Sequence, residues 1–221
     1  MKPPHGLTDL TFASELTQFD GELEIDGYYD RVRFDSGRFT DADAGGARFT
    51  ECAVTGASFD GARLRRARLS DVWFSETRLV ACDLAESSST DVWFSGCVFA
   101  GVQAFSMAAR RMTLRGCKLD SVNFRDAKLT EVVFEECVLR DVDFASAKLV
   151  KVRFPGSTLA NTDFSKVTMK EVDLRGARLG TGETPGIKAG YDCLAGTRID
   201  NIQLVTIAPL LAHHLGIKVE D

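Results

Sequence analysis

The side chains best able to do chemistry in this 221-residue chain are six cysteines, three histidines and a scatter of carboxylates. Thiolates bind zinc or attack electrophiles, and imidazoles act as bases. Cys52, Cys82, Cys97, Cys117, Cys137 and Cys193 contain no Cys-x2-Cys pair of the kind zinc sites use. His5, His213 and His214 lie at the two ends. The long middle therefore has no imidazole, which excludes a Ser-His or Cys-His arrangement there. His213-His214 reads as a solvated helix end rather than a metal site. Gly180-Thr181-Gly182-Glu183-Thr184 lacks the lysine of a phosphate-binding P-loop. These residues predict no catalytic group, no metal and no cofactor.

The element that positions most of these residues is a period of five. Every fifth residue from Phe34 to Leu179 gives 30 positions, and 26 are Phe, Leu, Val or Met. The exceptions are Ala44, Ser89, Ala104 and Ala109. Two residues before each such centre, the side chain is nearly always Ala, Val, Cys, Ser, Thr or Gly. Cys52, Cys82, Cys97, Cys117 and Cys137 all fall on that small position, as packing residues. Met107 and Met112 are its large exceptions. Five is neither the helix period nor the strand period. It fits one side of a square coil that closes every 20 residues. The expected fold is all-β, a right-handed quadrilateral parallel β-helix followed by a short C-terminal helix. Stacking at about 4.8 Å per coil predicts a rod of roughly 36 Å.

Residues 20 apart then share a wall. Asp-Val-Trp-Phe-Ser occurs at 71–75 and again at 91–95, so Trp73 and Trp93 stack and point outward. They are read either as a partner site or as a pair covered by a terminal segment. Asp143 and Asp163 also stack. Two carboxylates that close raise one pKa and could do acid/base work, but a flat wall offers no pocket, and a partner-facing ladder is the stronger reading. The core is thin at Ser89 with Ala109 and at Ala44 with Ala104. Met107 and Met112 compensate there, or residues 105–112 form a loop.

Asn123-Phe124, Asp163-Phe164, Val142-Asp143-Phe144 and Cys82-Asp83-Leu84 match the repeat Ala-Asp/Asn-Leu-X-X. On these residues the segment 32–179 resembles the pentapeptide-repeat family. The resemblance implies the β-helix. It also implies a function, because the best-known members resemble a short DNA duplex, dimerise through their C-terminal ends and occupy the DNA saddle of DNA gyrase. That protects cells from quinolones and other gyrase poisons. One departure bears on this expectation. The residue before the centre is Asp or Asn in only 6 of 30 pentads and Arg or Lys in 11. The alternative is a general partner-binding scaffold with mixed-charge walls.

The net charge is −5, which disfavours direct binding to nucleic acid. Most of the acidity lies at the ends. Residues 1–31 carry seven acids against Lys2 and Arg31. Three segments are expected: a cap over 1–31, the β-helix over 32–181, and residues 182–221 holding a loop at 180–190, a partial last coil and a helix over 206–215. In that reading Leu194, Ile199 and Leu204 resume the phase of five, and Pro209 sits in the first helical turn. The stripe Ile207, Leu210, Leu211 and Leu215 must cover the last coil or a second subunit. A homodimer through this end is the expected assembly. No stretch resembles a signal peptide or a membrane helix, so the expected location is cytoplasmic.

Overall fold

The computed structural model describes residues 4, 6–182 and 184–220; His5 lies outside them. Its chain winds as a parallel β-solenoid of about eight turns with one C-terminal helix. The 20-residue register is direct: Trp73 pairs with Trp93, Phe74 with Phe94 and Leu129 with Leu149. Two adjoining walls share a twelve-stranded sheet, and the third wall is an eight-stranded sheet. The fourth wall is joined by single bridges, Asp43–Arg63–Asp83–Gln103–Asn123–Asp143–Asp163.

Corners make the coil close. The second residue after each centre has positive φ at every fifth position from Asp26 to Gly176 without a break. Arg66 (59°), Asp71 (55°) and Glu76 (50°) are typical. No β-branched or aromatic residue stands at any of these corners, because the left-handed region is costly for such side chains. Inside, the centres stack coil on coil. Phe144 lies between Phe124 and Phe164, with ring centroids 5.3 and 5.5 Å away and near-parallel planes.

Thinning of the core is visible at the expected place. An apolar cavity of about 50 Å³ is lined by Ser89, Ala104, Met107 and Met112 among others. Both methionines are buried, so large-for-small exchange fills most of the gap. The loop alternative at 105–112 is overturned. Ala108–Arg115 is a strand paired on both sides, because Ala109 and Met112 still point inward in register.

Both ends differ from the expected boundaries. The parallel ladder runs back to Thr17, which pairs with Val32, and Tyr28 pairs with Arg48. The boundary at 31/32 therefore falls inside the first coil; Phe19 and Tyr29 are already in phase and pack against Phe34. At the other end, residues 180–190 are not a plain loop. Gly180–Thr181 and Thr184–Pro185 pair antiparallel, and Ile187–Ala189 rejoins the solenoid beside Thr162. Leu194 and Ile199 do pack against the core as a partial last coil. Leu204 does not; it is exposed on the helix.

That helix, α1, spans Asn201–His214 and begins five residues earlier than its apolar stripe indicated. Asp200 and Gln203 form a capping box at its start. Pro209 consequently lies in the helix interior, not in the first turn. Replacing Phe144 by Ala should cost about 3–5 kcal/mol, because the ring is fully buried in a stack that cannot collapse around the gap. Lys128→Ala, on the outer face, should stay within about 0.5 kcal/mol in the same urea titration.

Candidate functional site

Each candidate site is built on this frame of inward centres, corners and outward ladders. The fourth wall carries Asp143 and Asp163, paired as neighbours on successive coils. The Asp143 carboxylate accepts from the Ala145 amide at 2.8 Å and from the Arg125 guanidinium at 2.8 Å. Asp163 accepts from the Ser165 amide at 2.8 Å. Burial works against its ionisation, but hydrogen bonds from Ser165 and the nearby Lys188 and Arg125 charges together outweigh it and the pKa falls. That is opposite in sign to the raised carboxyl an acid/base pair requires. The same contact recurs at all six Asp or Asn residues that precede a centre: Asp43, Asp83, Asn123, Asp143, Asp163 and Asp173 each hold the amide two residues on. The short polar side chain fixes the corner, so the repeat's Asp/Asn preference is structural. Asp143 and Asp163 keep an outer oxygen each, and the Arg125 ion pair takes that of Asp143.

The tryptophan pair is placed differently from the partner-surface reading. Trp73 and Trp93 stack in register and face outward from their sheet, yet both are buried. Two short 3-10 turns, Leu7–Asp9 and Ala13–Glu15, lie over them. Leu10 and Phe12 close a second apolar cluster, separate from the core, with Ala53, Trp73 and Trp93. Of the two readings of Trp73 and Trp93, the open partner surface is thereby corrected and the cover by a terminal segment is what is found, because an exposed aromatic pair drives apolar chain onto itself. The cover is held by side chains. Its turns bond within themselves, as in Leu10 N–H to Leu7 carbonyl at 3.2 Å, and Glu15 reaches Arg31 at 3.0 Å. The indole N–H of Trp73 is buried without a partner among the described residues.

All five repeat cysteines are buried and free. Cys97, Cys117 and Cys137 stack in one column on the third wall, below Ser157, as the register Val98–Lys118–Val138–Thr158 requires. Their thiols face backbone carbonyls, Cys137 Sγ being 3.3 Å from both Leu114 and Glu135 oxygens. Burial pushes the Cys52 and Cys82 thiols up to about 11, away from reactive thiolate. Among the described residues no group of three or more His, Cys, Asp or Glu side chains is arranged to hold a metal ion. His214 lies 6.0 Å from the Tyr191 ring.

The C-terminal end is closed by α1. Gln203 is buried and its side-chain amide donates to the Leu174 and Ala177 carbonyls, the latter at 2.7 Å. The Ala177 carbonyl is of the kind that the next coil takes elsewhere, as Thr168 N–H takes that of Ala147, and the Leu174 carbonyl also accepts from the Ala177 amide in its own corner. Sequence reasoning missed Gln203, although Asp-x-x-Gln ahead of an apolar run was the available signal. Ile207 is buried and Leu211 half-buried against the same coil, and Leu210 lines a surface groove with Leu179, Thr184 and Pro185. Of the four residues expected to form a dimer interface, only Leu215 is open, at 69% exposure. Ile207 and Leu211 face the protein's own last coil, which is the first of the two covers expected for that stripe. The outward face carries Ile202 and Val205, 79% and 75% exposed. No Asp, Glu, Lys or Arg occurs anywhere in α1.

A coil of five-residue sides with inward centres, Asp-fixed corners and stacked outer ladders defines a pentapeptide solenoid. Sequence patterns agree. One described as pentapeptide repeats (8 copies) matches residues 33–71 and 62–101, and one described as pentapeptide repeat region matches 87–164 and 107–181. The chain belongs to the pentapeptide-repeat family. No curated protein matches it. Among solved structures, full-length QnrB1, a plasmid-mediated fluoroquinolone resistance protein, is 20% identical; the match covers 91% of this chain and 100% of that one, with a TM-score of 0.49. HetL, a pentapeptide repeat protein involved in heterocyst differentiation regulation from the cyanobacterium Nostoc, is 16% identical over 82% of this chain and 93% of its own, with a TM-score of 0.46.

Iodide quenching checks the cover over the tryptophans. Wild-type emission should be blue and poorly quenched, and Phe12→Ala should red-shift it and raise quenching several-fold. The rod itself should lose no more than about 1 kcal/mol, since the cover opens locally. Native thiol labelling should modify Cys193, which is only partly buried, and spare the five repeat cysteines; fast labelling of most of them would refute the coil assignment.

Proposed function

We propose that this protein is a non-catalytic interaction rod that presents its walls to a protein partner and pairs with a second copy through its C-terminal end. One observation carries the reading: α1 has no Asp, Glu, Lys or Arg and carries apolar side chains on its outer face as well as its inner one. Its inner face closes the last coil, and its outer face leaves Ile202 and Val205 in water. A helix with large apolar side chains on both faces has more apolar surface than its own coil covers. A twofold contact would bury both outer faces and join two rods end to end. Leu204 and Leu215 are also open, 48% and 69% exposed.

DNA gyrase is the partner that the family resemblance implies. The wall charges do not support simple imitation of phosphates. Acids on neighbouring coils are neutralised by arginines, as in Arg63–Asp43 at 3.0 Å, Arg115–Glu135 at 3.0 Å and Arg31–Glu51 at 2.7 Å. Contact with gyrase would rest on rod shape and selected side chains instead of a continuous acidic stripe. No helix among the described residues is long and apolar enough to cross a membrane.

Light scattering should give a mass of two chains. Val205→Glu should give one chain with unchanged unfolding, whereas Leu211→Glu should instead lower stability by about 2 kcal/mol or more, because that side chain packs inward. A supercoiling assay with gyrase and a quinolone tests the target: retained supercoiling at stoichiometric protein supports gyrase, and unchanged inhibition points to another protein.

A further inference from the structure

We propose that one wall of the rod, the wall whose core column runs every twentieth residue from Phe49 to Met169, docks an extended acidic segment of a partner protein. The proposal deepens the interaction-rod reading and rests on it. The outward residues that flank these centres fall into two columns, set by the register. One column holds Arg48, Arg68, Lys128 and Lys148; the other holds Arg110 and Lys170. All six are exposed. Asp30, at the N-terminal edge, is the single acid among the outward residues of this wall.

Arg63, Arg115 and Arg125 spend their charge on carboxylates of nearby coils. None of the six makes a salt bridge among the described residues. Arg78, Lys118 and Arg178 on the third wall likewise make no salt bridge among the described residues, but Asp60 and Asp120 stand among the outward residues of that wall. The wall of the six thus carries a concentrated positive field on a protein of net charge −5, and such a field attracts and orients an anionic partner. Hydroxyls fill much of the rest of the second column, Thr50, Ser70 and Thr90 before Arg110 and Thr130 after it, and can donate to carboxylate oxygens.

The shape selects among polyanions. The two columns are about 7 Å apart, two residues along a strand, and run about 29 Å over six coil steps. The strip is one extended chain wide. A nucleic-acid duplex is wider and would bring phosphates over Glu51, Asp71 and Asp91, which line the adjoining corner. Asp91 is matched by Arg111 there, but Asp71 has carboxylates on both sides. A single nucleic-acid strand would need aromatic faces for its bases, and among the wall's outward side chains Tyr28, at one extremity, is the one aromatic. An acidic peptide needs only charge and hydroxyls.

The test is fluorescence anisotropy with the full-length protein and a fluorescein-labelled peptide of alternating Glu and Gly. About ten residues span the strip at about 3.3 Å each. Wild type should bind at about 20 mM salt and weaken markedly by about 150 mM. Arg68→Glu with Lys128→Glu and Lys148→Glu should reduce affinity at least about tenfold, while Arg78→Glu with Lys118→Glu and Arg178→Glu on the third wall should change it less than about twofold. If the triple variant loses its fold by circular dichroism, Lys128→Gln with Lys148→Gln should still weaken binding about threefold. No peptide binding at low salt, equal loss from both triples, or tighter binding of a thymidine strand or a short duplex would overturn the proposal. A protein partner retained by a variant that no longer binds the peptide would preserve the interaction-rod reading and reject this wall.

Discussion

Everything in this molecule depends on the chain turning a square corner every five residues. The corner residue must take positive φ, the centre two residues earlier must face inward, and the carbonyls of one coil must meet the amides of the next. Asp41 N–H to Asp60 carbonyl and Lys128 N–H to Met107 carbonyl, both at 2.8 Å, are two links of that ladder. Because each coil supplies the template for the next, stability is a sum of nearest-neighbour terms. The ring stacks Phe124–Phe144–Phe164 and Phe134–Phe154 turn that template into a continuous core.

The constraint decides what kind of surface is available. Backbone polar groups are consumed between coils, so a wall presents side chains alone, in columns at a spacing fixed by the sheet. Chemistry that needs a deep, dry pocket has no place on such a wall, whereas recognition by a row of side chains does. The ends are the exception. An unfinished coil leaves carbonyls and apolar centres open, and the two ends are handled by different means. At the start, Phe19 and Tyr29 begin the core early and the chain folds back over Trp73 and Trp93. At the finish, Gln203 takes the Leu174 and Ala177 carbonyls and Ile207 plugs the apolar interior.

The coils themselves were legible from spacing, since Phe124 through Phe164 repeat without a slip and the burial follows. What local pattern could not carry was anything outside the period. Leu10 and Phe12 sit in a segment with no repeat, and nothing in their neighbours says that they travel to a wall more than 50 residues away. Leu204 stands in phase with Leu194 and Ile199, yet the Asp200–Gln203 capping box starts a helix before the fifth-residue rule can apply. With that earlier start the helix includes Ile202 and Val205, which lie exposed while Ile207 and Leu211 pack inward. The roles of Asp143 and Asp163 were half visible: their stacking followed from 20-residue spacing, but the bonds to the Ala145 and Ser165 amides depend on the corner geometry.

Removing one complete coil tests the central claim most directly. Deletion of residues 128–147 joins Ala127 to Lys148, which occupies the same place in its pentad as Lys128. Small-angle scattering and urea unfolding of that variant should show a folded rod shorter by about 4.8 Å, with a modest loss of stability. Deletion of residues 128–144, three residues short of a coil, should abolish the folded state. Equal loss of structure in the two deletions, or a full-coil deletion that fails to fold, would contradict a solenoid built from interchangeable 20-residue turns.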